Sequence, residues 1–116
     1  LETKEIALMM ANVANDKKGA DIVILDIRGI SVIADYFVIC SGNSETQVQA
    51  ISTAIKDKAS ENGILVKNVE GYREARWILL DLGDVVVNVM HKDEREYYKL
   101  ERLWADAKRI ELVEQI

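Results

Sequence analysis

Proline is absent from this chain of 116 residues, and no low-complexity linker interrupts it. Nothing divides the sequence, and its length suits one domain, residues 1–116, with a real hydrophobic core. A single cysteine, Cys40, excludes an internal disulfide. Its place at the end of the apolar run Tyr36–Cys40 marks it as a buried structural thiol. With one cysteine and one histidine, the chain cannot supply the four ligands of a structural zinc site. No apolar run approaches the ~20 residues that cross a bilayer, and no signal peptide is recognisable. A soluble protein of a reducing compartment is expected. Basic charge is scarce too, with 15 Lys and Arg against 20 Asp and Glu, a net charge of −5. Lys17-Lys18 and Lys108-Arg109 are short and far apart, so little direct nucleic-acid binding is expected. Attraction to a basic protein partner suits the charge better.

What is present is a soluble globular composition, 49% hydrophobic and 30% charged. Its central stretch runs from Gly71 to Asp93. Two runs rich in strand formers, Arg76 to Leu82 and Val85 to Met90, flank Gly83-Asp84, a two-residue hairpin signal. That turn pairs Leu82 with Val85, Leu80 with Val87 and Ile78 with Val89, six aliphatics on one face and therefore core. The other face pairs Asp81 with Val86, Leu79 with Asn88 and Trp77 with Met90. A face turned only to water would be more polar. Two arrangements satisfy it: an open surface with an aromatic anchor for a protein partner, or a second layer of helices making Trp77 ordinary core.

Around the hairpin the chain alternates. Thr3 is placed to cap a first helix carrying Ile6, Met9, Met10 and Val13, with Lys17, Lys18 and Gly19 as its stop. Asp21 opens a strand Ile22–Ile27, and Arg28-Gly29 turns the chain towards a second strand, Tyr36–Cys40. Ser44 and Gln47 have the spacing of a capping box before a helix striped by Val48, Ile51, Ile55 and Ala59, ending at Asn62-Gly63. A third strand, Leu65–Val69, leads into the hairpin. Asp93 and Glu96 suggest another capping box, ahead of Tyr97, Leu100, Leu103, Trp104 and Ala107. From about residue 106 the tail either extends that helix or forms a separate one. The sum is an α/β fold, a mixed sheet of about five strands with three main helices, too few to cover both faces.

Three arrangements could carry chemistry. Ser41-Gly42-Asn43-Ser44 could cradle a phosphate at a helix N-terminus, but it lacks the Walker lysine and a turn with a cap explains it. Asp81 and Asp84 could hold metal for nucleotidyl transfer beside Ser41, though two-metal sites need carboxylates converging on ions about 4 Å apart. Asp84 fits its turn without a metal. His91 has no serine or cysteine partner at an identifiable spacing, which favours a loop or capping role.

The runs Asp35-Tyr36-Phe37-Val38-Ile39-Cys40-Ser41-Gly42, Glu70-Gly71 and Ala75 to Val87, then His91 and Tyr98 to Trp104, closely resemble the ribosomal silencing factor (RsfS, or Iojap-like) family. The likeness extends from about Ile6 to Ala107. It implies a non-enzymatic factor, without cofactor or metal, on a nucleotidyltransferase-like fold that has lost the catalytic carboxylates. Members bind the large ribosomal subunit through ribosomal protein L14 (uL14) on its intersubunit face, block subunit joining and repress translation when nutrients are short. The resemblance further implies a homodimer when free and a bacterial-type cytoplasmic location, with organellar relatives known. The expected partner-binding set is Glu70, Tyr72, Arg76, Trp77, Leu79, Asp81, Val86, Asn88 and Met90. This sequence departs from the family pattern at Asn88, where histidine is common, at Met90, often phenylalanine, and at Lys92-Asp93, which replaces a proline-containing turn. Two other uses stand beside the leading one: residual nucleotidyl transfer through Ser41, Asp81 and Asp84, and a Trp77 face that serves only the homodimer.

Overall fold

The computed structural model describes residues 1–110, Leu103 by its backbone only. Helix α1 (Thr3–Asp16) precedes strands β1 (Ala20–Asp26) and β2 (Tyr36–Gly42). Helix α2 (Glu45–Glu61) then leads to β3 (Asn68–Glu70), β4 (Trp77–Asp81) and β5 (Val85–His91). A short helix α3 (Lys92–Tyr98), a 3-10 turn over Leu100–Trp104 and strand β6 (Lys108–Ile110) complete it. The sheet runs β3-β4-β5-β2-β1-β6, and β2 and β5 are its one parallel pair among the described residues.

The hairpin forms in the expected register. Trp77 faces Met90, Ile78 faces Val89, Leu79 faces Asn88, Leu80 faces Val87 and Asp81 faces Val86. Leu82 N–H donates to the Val85 carbonyl at 2.9 Å, and Gly83 takes a φ of +91°. Ile78, Leu80, Leu82, Val85, Val87 and Val89 are all buried beneath α1 and α2, with Ile24, Val38 and Cys40 alongside. At α2 the Ser44 hydroxyl accepts from Gln47 N–H at 3.1 Å, while the Gln47 amide oxygen accepts from Asn43 N–H at 2.7 Å. The box therefore closes one residue before its usual position.

Cys40 lies fully buried in this core, and burial pushes its thiol pKa up to about 12. The neutral thiol is favoured in the folded state, so its stabilising effect is complete below the unfolded thiol pKa and fades as pH rises towards 12. Native protein at pH 8 should therefore resist iodoacetamide, whereas protein in urea should alkylate at the rate of a free thiol. Rapid labelling without unfolding would contradict this packing.

Four expectations are corrected. Glu2 rather than Thr3 occupies the N-cap of α1, and the Thr3 hydroxyl reaches across to Asp35 at 3.4 Å. At the other end Lys18, not Gly19, takes the left-handed turn, with φ of +66°. The strand before the hairpin is Asn68–Glu70, shorter and later than Leu65–Val69. Most consequential, no long helix follows His91. The His91 imidazole itself caps α3, Nδ1 accepting from Asp93 N–H at 3.2 Å, and the helix stops after two turns because Lys99 is left-handed, with φ of +48°. In an unbroken helix Arg95 and Glu101 would stand about 9 Å apart along the axis. The break brings Arg95 Nε to 3.3 Å from Glu101 Oε1. It also lets Leu100 and Trp104 reach the sheet, where Trp104 meets Phe37 edge-on at 5.5 Å. Lys108–Ile110 then pairs with Asp26–Ile24 as a sixth strand, covering an edge that would otherwise expose unpaired backbone. The rest of the tail, 111–116, lies outside the described residues.

Candidate functional site

Strand alternation puts Trp77, Leu79 and Asp81 on the sheet face opposite α1 and α2, in line with Met90, Asn88 and Val86 of β5 and Ile39 and Phe37 of β2. The segment from α3 to Trp104 packs over the β5, β2 and β1 columns and builds a second core of Leu25, Ile27, Phe37, Ile39, Val86, Met90 and Leu100. It stops short of the outer columns. Trp77, Leu79 and Asp81 remain partly exposed, and Glu70 of the edge strand is exposed beside Leu79, its paired residue. Glu70, Gly71, Trp77 and Leu79 line a shallow groove of about 330 Å³.

The expected partner-binding set is thus divided by the fold. Glu70, Trp77, Leu79 and Asp81 share the partly open strip. Val86, Asn88 and Met90 are buried, at 5%, 1% and 0% exposure, so the expectation that they reach a partner directly is corrected. Asn88 is tied to the strip: Trp77 Nε1 donates to Asn88 Oδ1 at 3.0 Å, which fixes the indole. Tyr72, though exposed, stands apart from the strip. It leans the other way, its hydroxyl 3.3 Å from Thr53 Oγ1 and its carbonyl accepting from Gln49 Nε2, so it belongs to the α2 side. Arg76 sits at the end of β4, where Glu94 Oε1 accepts from its Nε and Nη2 at 3.1 and 2.9 Å. Those bonds raise the Arg76 pKa above its ordinary value. Asp93 and Glu45 flank the same guanidinium at 3.9 and 3.7 Å. Asp81 is partly committed to its own turn, Oδ1 accepting from Gly83 N–H at 2.8 Å.

Two residues escaped sequence reasoning. The Tyr98 ring lies 5.3 Å from Trp77, and the Tyr97 ring lies 4.9 Å from Tyr98, making a continuous aromatic row. Tyr97 is 80% and Tyr98 52% exposed. Adjacent tyrosines read as helix interior if the helix after His91 is long. The early stop at Lys99 turns them out as a wall beside Trp77.

The grouping required for nucleotidyl transfer does not assemble. Ser41 stands opposite Met90 while Asp81 stands opposite Val86, four residues away along β5 and on its other side. That is about 13 Å along the strand before the lateral spacing is added. No group of three or more His, Cys, Asp or Glu able to hold a metal occurs among the described residues. What the strip offers is an aromatic and aliphatic surface with a carboxylate at its edge.

All 116 residues, 1–116, match the family model described as ribosomal silencing factor during starvation. A Bacillus subtilis (strain 168) protein named ribosomal silencing factor RsfS is 60% identical over 107 residues, covering 92% of this chain and 91% of its own length. A crystal structure from Bacillus halodurans superposes with a TM-score of 0.84 at 52% identity, spanning 95% of this chain and 100% of that one. An X-ray structure from Chromobacterium violaceum gives a TM-score of 0.89 at 31% identity, over 99% and 95% of the two chains. Fold and sequence agree across the full motif set, and on that agreement the chain belongs to the ribosomal silencing factor family.

Proposed function

We propose that this chain represses translation under nutrient limitation by docking on the large ribosomal subunit through ribosomal protein L14 (uL14) and blocking the approach of the small subunit. The observation that carries this reading is the partly exposed Trp77, held by Asn88 and walled by Tyr98, in a member of a silencing-factor family. An aromatic anchor with apolar neighbours and a polar rim is the usual anatomy of a protein-binding hot spot. Trp77 and Leu79 would be desolvated at the centre. Glu70 at the rim, in a chain of net charge −5, would favour a basic partner surface and speed encounter with it. Repression needs no catalysis. A body measuring 33 × 32 × 32 Å excludes a second large particle from the surface that it occupies. The free protein is proposed to be a homodimer in a bacterial-type cytoplasm, a second copy shielding the same apolar strip.

The test mixes the chain with purified large and small subunits and follows the particles by gradient sedimentation. The expected result is fewer joined ribosomes, with the chain migrating in the large-subunit peak. Unchanged joining, with the chain left at the top of the gradient, would end the proposal.

A further inference from the structure

A second concavity, of about 570 Å³, opens away from the Trp77 strip, between the start of β1, the α3 to 3-10 segment and β6. One of its lining residues is Arg95, only 8% exposed. Its Nε donates to Glu101 Oε1 at 3.3 Å and its Nη1 to Ser41 Oγ at 3.5 Å. Both are long for a charged donor, which ordinarily closes to about 2.7–2.9 Å with a carboxylate. A guanidinium has five N–H donors, so most of its capacity is left over. Ser41 gives its own proton to the Ala20 carbonyl at 3.2 Å. On the other side of the pair, Glu101 Oε2 is buried with no hydrogen-bond partner. The pair is largely withdrawn from water, its side chains 9% and 24% exposed, and leaves Glu101 Oε2 without a donor, an arrangement that is costly unless one is supplied.

The rest of the lining matches that deficit. Lys99 stands 3.7 Å from Glu96, while Arg102 and Arg109 have no carboxylate partner among the described residues. Four cations face three carboxylates here, on a chain that is acidic as a whole. Asp21 and Lys99, both lining the cavity, hold left-handed backbones without being glycine, with φ of +49° and +48°.

We propose that this cavity binds a small molecule bearing one oxyanion with an amino or hydroxyl group beside it. The oxyanion accepts from Arg95 and from Arg102 or Arg109, and the neighbouring donor satisfies Glu101 Oε2. A carboxylate (an amino acid or hydroxy acid) and a phosphate ester of a small alcohol share this chemistry. A polyanion is disfavoured by the three carboxylates in the lining. The site stands independently of docking through Trp77.

Full-length protein titrated with L-serine, L-lactate and glycerol 3-phosphate, followed by proton–nitrogen NMR including the arginine Nε–H signals, tests this. Acetate and chloride at equal ionic strength are the controls. At least one donor-bearing probe should saturate, with shifts centred on Asp21, Arg95, Lys99 to Arg102 and Arg109, and bind about tenfold more tightly than acetate. The probe that does so separates the carboxylate from the phosphate source. Arg102→Ala and Arg109→Ala alter exposed side chains and should leave the melting temperature unchanged; at least one should weaken binding about fivefold. Shifts that never saturate and equal those with chloride, or an affinity untouched by both substitutions, would overturn the proposal and leave the cavity to water.

Discussion

Replacing Trp77 by alanine should weaken binding to purified uL14 by about 30-fold or more, the loss of roughly 2 kcal/mol or more typical of a central aromatic anchor. Calorimetry of wild-type and variant chains reads this directly. The substitution also has a structural consequence that must be separated from it. Asn88 Oδ1 would lose its donor, and Asn88 Nδ2 already has no partner, so a stability loss of about 1–3 kcal/mol accompanies the change. Tyr97→Ala supplies the control. Tyr97 is 80% exposed and touches the Tyr98 ring, so its removal should move stability by no more than about 0.5 kcal/mol. Any loss of affinity in that variant belongs to the surface alone. Wild-type affinity in both variants, with melting curves showing folded protein, would remove the aromatic row from the interface.

The second large effect concerns Gly71, which precedes β4 with φ of +82°. A Cβ placed there would collide with the Trp77 carbonyl oxygen and stand 3.3 Å from its carbon, both backbone atoms that cannot rotate aside. Gly71→Ala thus combines left-handed strain with a forced displacement of the strand that carries the anchor. A loss of about 3 kcal/mol or more is expected in urea denaturation. Gly63 has a similar φ of +66°, but a methyl group there would meet nothing within 4 Å, so Gly63→Ala should cost only about 1 kcal/mol. Equal losses at the two positions would show that the crowding against Trp77 has no energetic weight. Because Gly71 also lines the groove beside Trp77, the folded fraction of Gly71→Ala should bind uL14 less well than wild type.

The contrast between these positions follows the line between local and non-local determinants. The hairpin register could be read from residues Arg76 to Met90 because a two-residue turn and a period of two leave one pairing that buries all six aliphatics. The cap and stop of α2 were readable for a similar reason, since Ser44, Gln47 and Asn62-Gly63 act within a few positions of themselves. Where the competing choices were local but nearly equal, sequence reasoning failed by small margins, as at Thr3 and Lys18. The missed arrest of α3 was of another kind. It goes with the packing of Leu100 and Trp104 against Leu25, Phe37 and Ile39, residues remote in sequence, which no periodicity in residues 92–104 encodes.

The linear chain alone thus settled which side chains of the hairpin share a face and the family likeness, because turn chemistry and alternation operate between near neighbours. How much of the Trp77 face is open depended on tertiary packing. Coverage by the α3 to Trp104 segment buries Val86, Asn88 and Met90, turns Tyr97 and Tyr98 outward and leaves Trp77 between the two, while Tyr72 is drawn to α2 by Thr53 and Gln49. Strand alternation fixes direction relative to the sheet, but what lies above the sheet is decided by distant segments competing for the same apolar area, and that competition has no signature in spacing.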